Sequence, residues 1–160
     1  MDHSLVAASD AATPQTPAPQ RSGCLVHDLK DMLRQAGLRP TRQRIALGWL
    51  LFGKGDRHVS AESLYEEASK ARVPISLATV YNTLHQFTVA GFLREVAVEG
   101  ARTYFDTNIG NHYHFFVEGE AGLVDISDSD IQLGRLPEPP EGMEIARIDV
   151  VVRLRRKTSL

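Results

Sequence analysis

Two imidazoles stand two residues apart in the stretch "GNHYHFFVEGE": His112 and His114. Their neighbours read as a strand, and residues i and i+2 of a strand face the same side, so both rings can converge on one ion. The same spacing suits two imidazoles packed into a sheet, and spacing alone does not choose between them. A second chemistry lies upstream, where Arg34, Arg39, Arg42 and Arg44 crowd into "RQAGLRPTRQR". Such a cluster suits phosphate as well as a solvated helix surface. A third stretch, "SLATVYNTLHQFTVA", turns Ala78, Thr79, Asn82 and His85 to one face, with Tyr81 at its edge. That face is small and hydrogen-bonding. An amphipathic helix packed on its neighbours needs nothing of the kind, whereas a helix reading base edges does: asparagine suits adenine and methyl-bearing side chains suit thymine.

The elements that must position these residues follow from periodicity. Leu25, Leu29, Met32, Leu33 and Ala36 recur at helical spacing, and Gly37 is placed to end that helix. A second helix follows "RPT", with Thr41 as N-cap and Ile45, Trp49 and Phe52 inward. "GKGD" breaks the chain. Ser60 caps a third helix, with Leu64, Tyr65, Ala68 and Ala71 on one face. "RVPIS" breaks it again, and Ser76 caps a fourth helix over Leu77–Ala90 with Leu77, Val80, Leu84 and Phe87 as its apolar stripe. "FLREVAVEGARTYFD" reads as a hairpin turning at Glu99-Gly100-Ala101. Helices followed by a hairpin is the order of a winged helix.

The second half reads as α+β. "HYHFFVE" and "LVDI" are candidate strands, "DSDIQLGRL" a short helix or loop, and "PEPPEG" an extended connector. "EIARIDVVVRLRR" predicts a long strand with Ile148, Val150, Val152 and Leu154 on one side. A sheet this small and apolar is marginal alone, which points to pairing with a second copy through strands that include Ile145–Leu154.

Composition narrows the class. The 160 residues suit one medium domain or two small ones. No apolar run approaches the ~20 residues of a membrane span. Residues 1–22, rich in Ala, Thr, Pro, Gln and Ser, read as a disordered arm and not as a signal peptide, so a cytoplasmic protein is expected. The single cysteine, Cys24, excludes an intramolecular disulfide and any Cys-pair zinc site. The net charge of −2 argues against nucleic acid only as a sum. Basic residues outnumber acidic ones over 23–108, and the balance reverses over 109–160.

The segments "GLRPTRQR", "HVSAESLY", "SLATVYNTL" and "YFD…HYH", in this order, resemble the ferric uptake regulator family. "GLRPTRQRIALGWLLFGKGDRH" and "LPEPPEGMEIARIDVV" are similar to its iron-response regulator branch from alphaproteobacteria. The resemblance spans about residues 23–157. It implies an α+β fold: an N-terminal winged-helix DNA-binding domain over 23–108 and a small C-terminal α/β dimerisation and effector-binding domain over 109–160. It implies a homodimer on double-stranded operator DNA, acting on genes of iron homeostasis and haem biosynthesis. Carried over residue by residue, the family's interdomain metal site falls on His58, Asp106, His112, His114 and Asp125. This nitrogen and oxygen set without thiolate suits Fe²⁺, Mn²⁺ or Zn²⁺.

The chain departs from the family pattern in places. Val117 and Glu120 stand where the first structural-zinc cysteine pair would be, so no such zinc site is expected. Asn111, Tyr113 and Gln132 occupy positions of a further C-terminal metal site, which is therefore degraded. "GCLVHD" resembles an N-terminal haem regulatory motif but has Leu25 where the motif has proline, so Cys24 and His27 read first as a lone thiol and a helix-start imidazole and second as haem ligands. Haem is nonetheless the effector that the branch implies, with one or two axial imidazoles from His112 and His114 and its porphyrin against Tyr113, Phe115 or Phe116. Haem is then expected to lower operator affinity. The expected DNA contacts are Ala78, Thr79, Tyr81 and Asn82 in the major groove, with Arg39, Arg42 and Arg102 on phosphates. Two alternatives remain: a manganese-, zinc- or peroxide-responsive sensor of the same family, and a small non-haem metalloenzyme, since two histidines and a carboxylate also describe an open iron site. The metalloenzyme leaves the helix–hairpin order unexplained.

Overall fold

The computed structural model describes residues 25–158 apart from 99, 101 and 121. The arm expected over residues 1–22, Cys24, and two of the hairpin's turn residues lie outside the described residues. Two helices open the chain, α1 (Leu25–Gln35) and α2 (Arg42–Phe52). A short strand β1 (His58–Val59) precedes α3 (Ala61–Lys70) and α4 (Leu77–Val89). The strands β2 (Arg94–Val96) and β3 (Tyr104–Asp106) form the hairpin, and β4 (His112–Val117), β5 (Leu123–Ser127) and β6 (Val151–Leu154) form the second half. One sheet has the order β1-β3-β2 and the other β5-β4-β6. All pairings are antiparallel except that of β4 with β6.

Local signals set the helix boundaries. The Thr41 hydroxyl accepts from the Arg44 backbone N–H at 3.2 Å, and the Ser76 hydroxyl accepts from Thr79 at 3.1 Å. Ser60 and Ser63 cap each other's backbone reciprocally. Each such cap is worth about 1 kcal/mol. Helix α1 ends in a left-handed residue: Gly37 has φ +73°, Leu38 N–H donates to Leu33 O at 2.8 Å, and Gly37 N–H to Arg34 O at 3.0 Å. This double bond pattern satisfies the last free carbonyls. Helix α3 ends the same way, with Val73 N–H on Ala68 O and Arg72 N–H on Ser69 O, but its left-handed residue is Arg72 at φ +58°.

The first core lies between the four helices and the hairpin sheet, built on Leu33, Leu47, Leu51, Leu64, Val80, Leu84 and Phe87, with Val59 and Phe105 from the strands. Burying each large apolar side chain contributes roughly 1.5–3 kcal/mol. Helices α1 and α2 approach closely at Gly48, where a Cβ would stand 2.9 Å from Leu29 Cδ2. A second apolar cluster joins the hairpin to the other sheet: Val96, Val98 and Tyr104 pack with Phe116 and Leu123. The wing is thereby seated on β4 and β5.

Several expectations need correction. Trp49 is 50% exposed, because Leu47, Leu50 and Leu51 already fill the inward side of α2. Leu77 and Ala71 also face solvent, each at a helix end beyond the packed stripe. The long final strand is short: only Val151–Leu154 is paired, while 145–150 runs alongside with no strand partner among the described residues. Its start is still tethered, since His114 N–H donates to Val150 O at 3.1 Å. Strand β1 went unforeseen.

Candidate metal centre and nucleic-acid interface

Five side chains meet where the two sheets adjoin. Strand β1 sets His58 directly opposite Asp106 of β3. Strand β4 sets His114 opposite Asp125 of β5, and His112 lies two residues earlier on the same face of β4. Residues opposite each other on adjacent strands share a face, so each sheet presents a histidine–aspartate pair at the seam. The Asp106 Oδ2 atom lies 3.1 Å from His58 Nε2, 2.7 Å from His112 Nε2 and 3.0 Å from His114 Nε2. Across from it, Asp125 Oδ1 lies 2.8, 3.4 and 3.5 Å from the same three nitrogens. Asp106 is fully buried and His112 and His114 nearly so, whereas Asp125 is partly open.

Hydrogen bonds outside this set orient it. The Asn108 backbone N–H donates to Asp106 Oδ1 at 2.8 Å, and Gly110 N–H donates to Asn108 Oδ1 at 3.0 Å. His112 Nδ1 lies 2.8 Å from Gly110 O, and since a carbonyl only accepts, that nitrogen carries the proton. Hydrogen bonds thus run from His112 through Gly110 and Asn108 to Asp106, and His112 Nε2 comes back to within 2.7 Å of Asp106 Oδ2. In the neutral ring the Nε2 lone pair then faces the carboxylates, the tautomer a metal-ligating histidine needs.

Two further observations fit a cation. The buried His58 Nε2 makes no hydrogen bond, although both carboxylates are at contact distance; neither lies along its N–H direction. One ligand atom from each residue also falls within 4.8 Å of every other. Around an ion with bonds of about 2.1 Å, donors at right angles are about 3 Å apart and opposite ones about 4.2 Å. The closer separations are of the first size and the full spread little exceeds the second. Electrostatics points the same way. Burial acts to raise the Asp106 carboxyl, but the imidazoles of His114 and His58 and the Asn108 N–H outweigh it and hold Asp106 well below the usual carboxylate range. Burial acts to lower His58, but Asp106, and after it Asp125, outweigh that and hold it above its ordinary value. The geometry suits haem poorly: the His112 and His114 rings lie edge to face at 4.6 Å, and those of His58 and His114 at 5.1 Å. It also suits an open catalytic iron poorly, since five donors converge where such a site uses three.

The expected DNA contacts lie on α4, around the start of α2 and in the hairpin. Ala78, Tyr81, Asn82, Arg39, Arg42 and Arg102 are exposed, and Thr79 is half-buried with its hydroxyl 2.9 Å from that of Ser76. The Tyr81 hydroxyl is engaged, donating to Glu62 Oε1 at 2.6 Å. Arg44 belongs to the fold: it donates to Gln86 Oε1 at 3.2 and 3.0 Å and to Arg39 O at 2.8 Å, binding α2 to α4. His27 is exposed and pairs with Asp31 at 3.2 Å. Sequence reasoning passed over Arg94, a buried arginine behind the His112 strand. Its signal was its place in the inward alternation of Arg94, Val96 and Val98.

The model of the ferric uptake regulator family matches residues 35–152. Over 127 residues the chain is 30% identical to the ferric uptake regulation protein of Pseudomonas aeruginosa, covering 78% of this chain and 95% of that protein. It is 36% identical over 102 residues to the peroxide-responsive repressor PerR of Staphylococcus aureus, covering 62% and 68%. Among solved structures, the ferric uptake regulator from Pseudomonas aeruginosa with manganese superposes with a TM-score of 0.62 at 26% identity, over 81% of this chain and 98% of that one. The ferric uptake regulator of Vibrio cholerae gives a TM-score of 0.63 at 23% identity over 79% and 98%, a likeness of fold.

Proposed function

The chain belongs to the ferric uptake regulator family, and from that premise we propose that it is a metal-responsive transcriptional regulator, not an enzyme, with a divalent cation at the seam governing its hold on DNA. The observation that carries this reading is the convergence of three Nε2 atoms on one Asp106 oxygen, with Asp125 facing them. His58, Asp106, His112, His114 and Asp125 would hold the ion, and Fe²⁺, Mn²⁺ and Zn²⁺ all suit this donor set. The ion would supply two positive charges that neutralise both aspartates.

The chain's own residues do the rest. His58 and Asp106 belong to the sheet packed under α4, while His112, His114 and Asp125 belong to the other. A ligand holding all five favours one arrangement of the two sheets, and only such a preference between arrangements can alter DNA affinity. Ordering the seam in advance reduces the ordering left for DNA to impose, so the ion strengthens operator binding. Helix α4 enters the major groove through Ala78, Thr79, Tyr81 and Asn82, and Arg39, Arg42 and Arg102 hold phosphates. The chain acts as a homodimer through its second sheet, presenting two α4 helices to half-sites about one helical turn apart. Residues 23–108 form the DNA-binding part and 109–160 the dimerisation part.

Control of iron homeostasis and haem biosynthesis genes is supported by the resemblance of "GLRPTRQRIALGWLLFGKGDRH" to the iron-response branch. Haem, the effector which that branch implies, is the weaker reading, because the buried His112 and His114 lie ring against ring. Titrating Mn²⁺ and, separately, haem into purified protein on a duplex recovered by selection from random DNA tests both. The expected result is tighter DNA binding with Mn²⁺. DNA binding indifferent to Mn²⁺, Fe²⁺ and Zn²⁺ alike would overturn the reading. A monomer by sedimentation at micromolar concentration, with and without DNA, would overturn the dimer.

A further inference from the structure

Arg94 is buried on β2, opposite Asp106 in register, so Asp106 stands between His58 on one flank and Arg94 on the other. Its guanidinium does not turn to the carboxylates of the seam. Nη1 donates to Gly110 O at 3.2 Å and to His112 O at 3.3 Å, and Nη2 donates to Asp149 Oδ1 at 2.5 Å. Nε is buried with no hydrogen-bond partner among the described residues. Gly110 O is the carbonyl that accepts from His112 Nδ1–H. Asp149 is held from its other side by Arg147 Nε at 2.8 Å, and Arg147 reaches back to Glu95 O at 3.4 Å. One cation therefore ties the hairpin, the backbone under His112 and the segment entering β6.

We propose that Arg94 is a positioning residue of the seam: by fixing the Gly110 carbonyl it sets the tautomer and aim of His112, and through Asp149 it clamps the lead-in to β6 to the same point. The inference rests on the metal-centre reading for its effect on cation affinity, though not for its effect on the tautomer. A planar fork is needed because two diverging nitrogens serve three acceptors. A lysine ammonium offers its donors from one point and does not span them. Losing a partner that orients a ligating histidine in this way typically costs about 10–100-fold in metal affinity.

The test uses the full-length protein, Arg94→Lys and the milder Asp149→Asn, each checked for fold by circular dichroism. Mn²⁺ affinity is measured by calorimetry, and the His112 tautomer of the metal-free protein by long-range ¹H–¹⁵N correlation at pH 8. The expected result is a loss of about 10–100-fold in Mn²⁺ affinity for Arg94→Lys, a smaller loss for Asp149→Asn, and a shift of His112 from the Nδ1–H tautomer to a mixture. If either quantity stays at its wild-type value in folded Arg94→Lys, the proposal is overturned. Should Arg94→Lys fail to fold, the same criterion applies to Asp149→Asn. If the wild-type protein takes up no Mn²⁺, the metal-centre reading falls. The tautomer alone then decides: a shift upholds the role of Arg94 and no shift overturns it.

Discussion

His58 and Asp106 face each other across β1 and β3, with Nε2 of one 3.1 Å from Oδ2 of the other. One belongs to a strand of two residues and the other ends the hairpin, so the seam receives a donor from the chain between α2 and α3. With Asp106 it makes up the first sheet's share of a site whose other three donors come from β4 and β5. Removing His58 should leave an incomplete site of four donors.

Metal dependence should therefore fail in steps. His58→Ala is expected to weaken Mn²⁺ binding by about 10-fold or more without abolishing it, because Asp106, His112, His114 and Asp125 remain. The pair His112→Ala/His114→Ala should abolish the Mn²⁺ response of DNA binding. It should also cost on the order of 1–3 kcal/mol of metal-free stability, since buried Asp106 loses the His114 N–H that donates to it. Calorimetry and urea unfolding check the two effects. If haem still lowers DNA affinity in the double variant with the wild-type midpoint, these histidines are not its receptor and Cys24 with His27 becomes the candidate.

The DNA face should separate base reading from phosphate holding. Asn82→Ala is expected to cost on the order of 1–3 kcal/mol and to relax preference at one operator position. Arg39→Ala should weaken binding to every sequence and flatten its salt dependence. Anisotropy titrations across a set of single-base operator variants, at two salt concentrations, would show both. Unchanged affinity and base preference in Asn82→Ala and Tyr81→Ala would remove α4 from the groove.

Protons should compete with the cation in a defined direction. An imidazole binds metal only when its nitrogen is free, and Asp106 and Asp125 hold His58 above its ordinary 6.5 despite its burial. Mn²⁺ affinity is therefore full above that raised value and falls as pH drops through it. The decline should begin at a higher pH than an unperturbed histidine would produce. Calorimetry from pH 8.5 to 5.5 measures the onset, and an onset below 6.5 would contradict the assignment of His58.

Helix α3 carries avoidable strain. Arg72 holds φ +58° where α1 uses Gly37 for the same terminal bonds. Left-handed backbone costs a residue with a Cβ roughly 1–2 kcal/mol, partly offset by the greater freedom of glycine when unfolded. Arg72→Gly should stabilise the chain by about 0.5–1 kcal/mol, read as a raised urea midpoint at constant slope.

What sequence could reveal follows from how much pattern each element contains. The paired imidazoles of β4 were visible because a six-residue strand shows its period of two, and α4 because Ser76 announces its start. A two-residue strand has no period, so His58 was reachable only through the family resemblance, as were Asp106 and Asp125. Trp49 was misplaced because α2 is apolar nearly all round, and packing rather than pattern chose which side it buried. The final strand was overextended because residues 145–150 alternate but meet no strand partner within the described chain. Arg94 was passed over because one arginine in a short strand reads as surface until its burial is seen.

The hydrogen bonds that link Asp106, Asn108, Gly110 and His112 lie within one short span of chain. Closing so short a loop costs little entropy, whereas drawing in His58 means closing a much longer one. During refolding, then, this linked segment forms early and His58 is the last donor to arrive. A cation present from the start meets these ready donors and becomes a template on which β1, with His58, docks. Refolding in Mn²⁺ should accelerate the docking phase in wild-type protein and leave its rate unchanged in His112→Ala/His114→Ala, as stopped-flow fluorescence of the native Trp49 or of a labelled chain would record.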